Sequence, residues 1–314
     1  MTLAVTFPGQ GSQAVGMGLA LIENSAAAKS VFDEVDEALG EKLSAIILEG
    51  PEDTLTLTAN AQPALMAVSI AALRALEEKG FDLAHNAAYV AGHSLGEYSA
   101  LCAAGTFSIT DAARLLRIRG NAMQAAVPVG EGAMAAIIGL EHADVEEICS
   151  QTNETGACQI ANDNGGGQLV ISGAKSAVEK AVSLASEKGA KRALLLPVSA
   201  PFHSTLMGPA ADAMAEALSE VEMNSPCVPL VANVLAAPIS DPDEIRNRLV
   251  EQVTGQVRWR ESVQWMGENG VTQLMEVGSG KVLSGLARRI NRDLKSINVA
   301  TTDDIDAAVE AVNA

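Results

Sequence analysis

Aromatic side chains are scarce in this 314-residue sequence, at 3% of the total. So few rings offer no platform of the kind on which single-stranded nucleic acid stacks. Basic residues are short as well: 21 Lys and Arg stand against 39 Asp and Glu, a formal net charge of −18. Phosphate backbones would be repelled, which excludes nucleic acid as a partner. No run of 18 or more apolar residues occurs, so no membrane span is expected. No Lys or Arg precedes Lys29, so a secretory signal is not expected either. The four cysteines (Cys102, Cys149, Cys158 and Cys227) form no Cys-x-x-Cys pair. In a chain of this length they read as buried thiols and not as a disulfide frame. The expected compartment is the cytoplasm, and no metal site is expected.

What is present is a hydrophobic fraction of 48%, which marks a globular chain long enough for one large domain or two unequal ones. Its organising stretch is Tyr89 to Leu101. Ala87 to Ala91 is a short apolar run that reads as a buried strand. Gly92-His93-Ser94-Leu95-Gly96 then fits Gly-x-Ser-x-Gly, and Leu95 to Ala104 favours helix. Strand, sharp turn and helix together are the setting of a nucleophile elbow. The glycines are needed where side chains would collide with backbone, and the helix N-terminus aims free N–H groups at an oxyanion. Ser94 is therefore the candidate nucleophile.

Two glycine-rich segments invite other readings. Leu3 to Phe7 reads as a strand, and Gly9 to Ala14 behind it superficially matches a dinucleotide fingerprint. That motif needs an acidic residue closing a second strand, whereas Asp33 and Glu34 fall in an amphipathic helical pattern. The segment is a glycine turn, or a backbone N–H donor beside Ser94. Gly280-Lys281 is no phosphate loop, since Met275 and Val282 stand where glycine and Ser or Thr are required.

Asn60-Ala61-Gln62-Pro63 opens a long helix to about Lys79, with Pro63 in its first turn. The next helix is expected from a cap at Thr110-Asp111 to near Val127. On a wheel of about 100° per residue, Arg119 falls amid Ala112, Leu115, Leu116, Met123 and Ala126. An arginine so placed must find a partner among the carboxylates or reach out to solvent. Between Pro128 and Pro197 the pattern runs strand, helix, two strands, helix, strand, the order of a ferredoxin-like unit. A base for Ser94 is sought among four histidines. His93 adjoins the serine, His85 lies in a polar loop, and His142 sits beside Glu141 and Asp144 at a helix start. His203, in an apolar loop held by Pro201, is the best candidate. No aspartate stands out to orient it, and a backbone carbonyl would hold its Nδ1–H equally well.

Phe7-Pro8-Gly9-Gln10-Gly11-Ser12-Gln13, Gln62-Pro63-Ala64, Gly92 to Glu97, Arg119-Gly120, Phe202-His203 and Glu276 to Lys281 occur in this order. In that order and over nearly the whole chain, the sequence resembles the malonyl-CoA:acyl carrier protein transacylases of bacterial type II fatty acid synthesis. The resemblance implies an α/β-hydrolase-like core with a parallel sheet, formed by 1–127 and 198–314, plus an inserted ferredoxin-like subdomain at 128–197. It further implies malonyl transfer from malonyl-CoA to the pantetheine thiol of acyl carrier protein through a malonyl-serine, with no resident cofactor. Ser94 and His203 would be catalytic, with His203 oriented by the main-chain carbonyl of Gln252. Gln10 and Leu95 would supply the oxyanion hole, and Gln62, Asn162 and Gln168 would line the site. Phe202 matches a position that accompanies malonyl choice, and Arg119 would take the malonyl carboxylate. One departure is Gln256, where the family often has proline.

A serine hydrolase or thioesterase is the first rival, and it would place its acid and histidine late, whereas over a hundred residues follow His203. A non-catalytic carrier-binding protein is the second, disfavoured by Ser94 and His203. Because carriers are acidic and this chain is too, docking is expected on local basic clusters. Lys281, Arg288, Arg289, Arg292 and Lys295 form one, Lys191 and Arg192 another, and they are expected to flank the mouth of the site.

Overall fold

Leu3–Phe7 forms the first strand, β1, with all five residues buried. A strand covered on both faces needs such an unbroken run, and that is the mark of a parallel sheet. The computed structural model describes residues 2–198 and 200–313; Met1, Ser199 and Ala314 lie outside them. β1 pairs in parallel with β2 (Ala87–Gly92) on one side and with β9 (Gln273–Val277) on the other. β7 (Leu230–Ala232) follows β2, the hairpin strand β8 (Ala237–Ile239) closes that edge, and β10 (Lys295–Val299) closes the other. Chain order reverses around β1, and in such sheets ligands bind beyond the carboxyl ends of the strands at the reversal. Ser94 lies there, two residues past β2.

The helix Thr58–Glu78 runs through the main hydrophobic core. It buries 17 of its 21 residues, among them Leu65, Met66, Val68, Ile70 and Leu73. A helix apolar all round belongs in a core. It starts before the expected Pro63, so the proline is inside the helix and not in its first turn. The helix Ile109–Ala125 crosses it closely because residue 120 is glycine: a Cβ there would lie 2.6 Å from Ala59 Cα. That contact sets Arg119 against Gln62.

The second sheet has the order β4-β5-β3-β6, from β3 (Gly132–Ile138), β4 (Cys158–Asp163), β5 (Gln168–Ala174) and β6 (Arg192–Leu195), all antiparallel. With the helices His142–Gln151 and Lys175–Glu187 on it, this is the ferredoxin-like unit expected from the sequence. It is stitched to the core through Val257, whose N–H donates to Ala161 O at 2.8 Å and whose carbonyl accepts from Asp163 N at 3.0 Å. Arg260 Nε adds a bond to Asp163 Oδ2 at 2.8 Å.

Several local expectations are corrected. Ser108, not Thr110, caps the helix Ile109–Ala125, its hydroxyl accepting from Asp111 N. His85 lies in a short helix, Leu83–Asn86, its Nδ1 2.6 Å from Asp82 Oδ2. β7 is only three residues long, and Ala236, at φ 53°, turns the chain from it into β8. β10 and the helix Thr302–Asn313 have no counterpart in the sequence reading.

Candidate active site

The turn after β2 is too tight for side chains. A Cβ on Gly92 would lie 1.9 Å from the Gly96 carbonyl, and one on Gly96 would lie 2.3 Å from Phe7 O. Ser94 itself sits at φ 55°, in the left-handed region that non-glycine residues rarely occupy. Asn233, beyond the end of β7, braces this strained backbone. Its Oδ1 accepts from Ser94 N at 2.8 Å and its Nδ2 donates to Gly92 O at 2.7 Å. Strain of this kind persists only where surrounding contacts over-determine it.

Ser94 Oγ lies 2.7 Å from His203 Nε2, and His203 Nδ1 lies 2.8 Å from the main-chain oxygen of Gln252. The carbonyl can only accept, so the ring's proton sits on Nδ1 and Nε2 faces the serine as an acceptor. His203 is also left-handed, at φ 56°, and 3% exposed. Burial, and next the charge of Arg119, push its pKa down to about 3. The ring is therefore neutral, the form that can take a proton from the hydroxyl.

Because Ser94 N is engaged by Asn233, it is not free to hold an oxyanion. The N–H groups of Leu95 and Gln10 have no acceptor among the described residues. Gly9 brings Gln10 to the elbow: a Cβ at Gly9 would lie 2.6 Å from His93 O. Leu95 opens the helix Gly96–Ala103, whose N-terminus adds positive potential.

Arg119 is 1% exposed and makes no ion pair with any described carboxylate. Its Nη1 donates to Gln62 Oε1 at 2.7 Å and its Nη2 to Gln252 Oε1 at 2.9 Å. The same Nη2 is 3.3 Å from Ser94 Oγ, while Nε has no partner. Burial presses the guanidinium below its usual range. Glu97 is the neighbouring acid, but burial raises its pKa to about 8, so it is mainly neutral at pH 7. Gln252 Nε2 ties the set together, donating to Ser94 O at 2.9 Å and closely to Glu97 Oε2. The result is a buried cation with donors to spare beside an activated hydroxyl, an arrangement that calls for an anionic group on the ligand.

Of the residues singled out in the sequence, Ser94, Leu95, Gln10, Gln62, Arg119, His203 and Gln252 are brought together, with Phe202 buried beside His203. Asn162 is buried at the bulge in β4, and its backbone bridges to Val257. Asn164 is the residue of that turn that reaches the elbow, its Oδ1 2.9 Å from His93 Nε2. Gln168 turns to the surface, its Oε1 accepting from Arg289 Nη1 at 3.2 Å. Asn233, Glu97, Asn164 and Gln159 were missed. Only Glu97 carried a local signal, as an acid in the first turn of the elbow helix.

The basic residues lie in two groups joined by one turn. Arg288, Arg289, Arg292 and Lys295 line a groove of about 1100 Å³ with Gly166. Arg289 packs on Gly166, and the Lys191 stem packs on Gly139, whose N–H bonds Gly167 O at 2.8 Å. Lys281 is exposed at the other end of the helix Val282–Ile290.

A mixed α/β core with an inserted antiparallel sheet, carrying an elbow serine paired with a histidine, defines the class of α/β acyl-transferring enzymes. The family model described as acyl transferase domain matches residues 5–302. A malonyl CoA-acyl carrier protein transacylase of Bacillus subtilis (strain 168) is 47% identical, covering 99% of this chain and 97% of the relative. An acyl-carrier-protein-S-malonyltransferase from Bartonella henselae superposes with a TM-score of 0.99 at 65% identity, covering 100% of both chains. A malonyl-transacylase solved in complex with its type II PKS acyl-carrier protein gives a TM-score of 0.96 at 42% identity, covering 99% of this chain and 100% of that one. The chain belongs to the acyl transferase family and, within it, to the malonyl CoA-acyl carrier protein transacylases.

Proposed function

We propose that this enzyme moves the malonyl group of malonyl-CoA onto the pantetheine thiol of acyl carrier protein, through an ester on Ser94. His203 Nε2 takes the hydroxyl proton as Ser94 Oγ attacks the thioester carbonyl. The carbonyl oxygen becomes an oxyanion held by the Gln10 and Leu95 N–H groups. As the tetrahedral intermediate collapses, the C–S bond breaks and His203 returns its proton to the departing CoA sulfur. The carrier thiol then enters, loses its proton to His203 and attacks the ester carbonyl; the C–O bond to Ser94 breaks, and His203 returns the proton to Ser94 Oγ, which regenerates the hydroxyl. The Gln252 carbonyl replaces the usual acid in holding the ring.

The observation that carries the malonyl reading is the buried, unpaired Arg119 guanidinium. A malonyl group brings its own carboxylate, and a guanidinium binds carboxylates in a two-pronged geometry. Gln62 and Gln252 aim that fork. The carrier is placed on the basic groove and the Lys191–Arg192 pair, which meet at the glycine turn carrying Asn164. The residue ranges 1–127 with 198–314, and 128–197, are taken as core and subdomain. Free cysteines are in keeping with a reducing, cytoplasmic setting.

Intact mass measured after malonyl-CoA, and again after the carrier, tests the reading. A transferase shows a lasting malonyl adduct that the carrier removes. Accumulating free malonate would make the chain a hydrolase, and no adduct would make it a binder.

A further inference from the structure

Cys149 and Cys158 face each other in the antiparallel unit, outside the site described above. Cys149 lies in the helix His142–Gln151, Cys158 opens β4, and their sulfurs are 3.7 Å apart. Both are free thiols, Cys149 buried and Cys158 half-buried. They border a groove of about 320 Å³ shared with His142, Glu146, Asn153 and Gln159, wide enough to admit a small reagent. A sulfur that ionises next to a second thiol accepts that thiol's hydrogen. This contact, helped by Thr152, holds the Cys158 thiol below its usual range, while the same contact and burial push Cys149 up. Thiolate character and access together govern reactivity.

Gln159, the residue after Cys158, links this pair to the catalytic loops. Its Nε2 donates to His203 O at 3.3 Å and to Thr254 O at 3.1 Å, and its Oε1 accepts from Thr205 N at 3.0 Å. Successive side chains on a strand point to opposite faces, so Cys158 looks into the subdomain and Gln159 looks at His203. A disulfide requires sulfurs about 2.0 Å apart, so bond formation draws β4 and the helix together and moves the base of Gln159.

We propose that Cys149 and Cys158 are a reversible thiol–disulfide modification site, oxidised by a peroxide, whose state is transmitted to His203 through Gln159. The Cys158 thiolate attacks one oxygen of hydrogen peroxide and the O–O bond breaks. This leaves a sulfenic acid and a hydroxide, which takes up the proton Cys158 had released and becomes water. Cys149 sulfur then attacks the Cys158 sulfur. The S–O bond breaks, and the departing hydroxide leaves as water with the Cys149 proton. Two thiols lose two electrons and one peroxide becomes two waters, while a small dithiol reverses the change by exchange.

The test treats the whole enzyme with hydrogen peroxide, alkylates the remaining thiols, and reads intact mass, a peptide map and the malonyl-transfer rate. The mass and map are independent of the proposed function; the rate rests on it. Expected are a loss of two hydrogens, a cross-linked peptide pair containing Cys149 and Cys158, and a several-fold slower transfer restored by dithiothreitol. Cys149→Ser and Cys158→Ser should each transfer normally before peroxide and lack both responses. Oxygen added to single cysteines, or a cross-link through Cys102 or Cys227, overturns the site, and the wild-type map decides this without any variant. A Cys149–Cys158 disulfide with an unchanged rate overturns the link to His203.

Discussion

Arg119 Nη2 stands 3.3 Å from Ser94 Oγ, so any acyl group on that oxygen forms within reach of a buried positive charge. An acyl group ending in a carboxylate completes the pair; one ending in methyl leaves the cation unpaired, as it is in the free enzyme. Arg119→Ala should therefore slow malonyl loading by roughly a hundredfold, in line with the ~3 kcal/mol typical of losing one member of a buried charged pair. Acetyl loading should change far less. Single-turnover loading from the two CoA esters measures the ratio, and equal losses would remove the carboxylate role.

The histidine sets an unusual pH profile. With a folded pKa of about 3, held down first by burial and then by Arg119, His203 stays neutral across the ordinary working range. The acid limb of kcat/KM, which reports the free enzyme, should fall well below the histidine value of about 6.5. Arg119→Ala removes one cause of the depression, so with acetyl-CoA its limb should move to higher pH. The stability sign follows from the same shift. The unfolded ring gains its proton near 6.5 and the folded ring does not, so this contribution is absent above that pH and costs stability as pH falls from about 6.5 towards 3. A wild-type limb near 6.5 would contradict the buried, neutral base.

Phe202, buried beside His203, should narrow the space next to the acyl α-carbon. One methyl group decides only about 1–3 kcal/mol. Phe202→Ser should raise methylmalonyl use relative to malonyl without abolishing either. Competition between the two CoA esters gives the ratio directly, and an unchanged ratio would clear Phe202 of any part in selection.

The elbow, the ferredoxin-like unit and the Ser94–His203 pair were legible because each has a local signature: glycines at a turn, alternating elements, one histidine in an apolar loop. Arg119 was legible as an oddity on a helical face, though its partners were not, since Gln62 and Gln252 lie 57 and 133 residues away. Asn233 bonds Ser94 N across 139 residues, and nothing around it marks it out. The start of the helix at Thr58 was hidden because Pro63 reads as a first-turn residue, whereas here it is accommodated inside a largely buried helix. β10 is half-exposed at the sheet edge, so it lacks the apolar run that gave β1 away.

Carrier docking through the basic groove has an electrostatic test. Arg288→Glu with Arg289→Glu should slow transfer to the carrier while leaving loading from malonyl-CoA nearly intact. Added salt should slow the wild type and matter less in the double variant, because screening removes the same attraction. Loss of both half-reactions together would assign the cluster to folding or CoA binding.

Ser94 is proposed to carry the malonyl group between two thiols. Acid-quenching the enzyme after malonyl-CoA and mapping its peptides by mass tests this most directly. One malonyl group should appear, on the peptide containing Ser94, and disappear when carrier bearing a free pantetheine thiol is added before the quench. Ser94→Ala should show neither the adduct nor malonylated carrier. A malonyl group on another residue, or carrier malonylated at the wild-type rate by Ser94→Ala, would contradict the account.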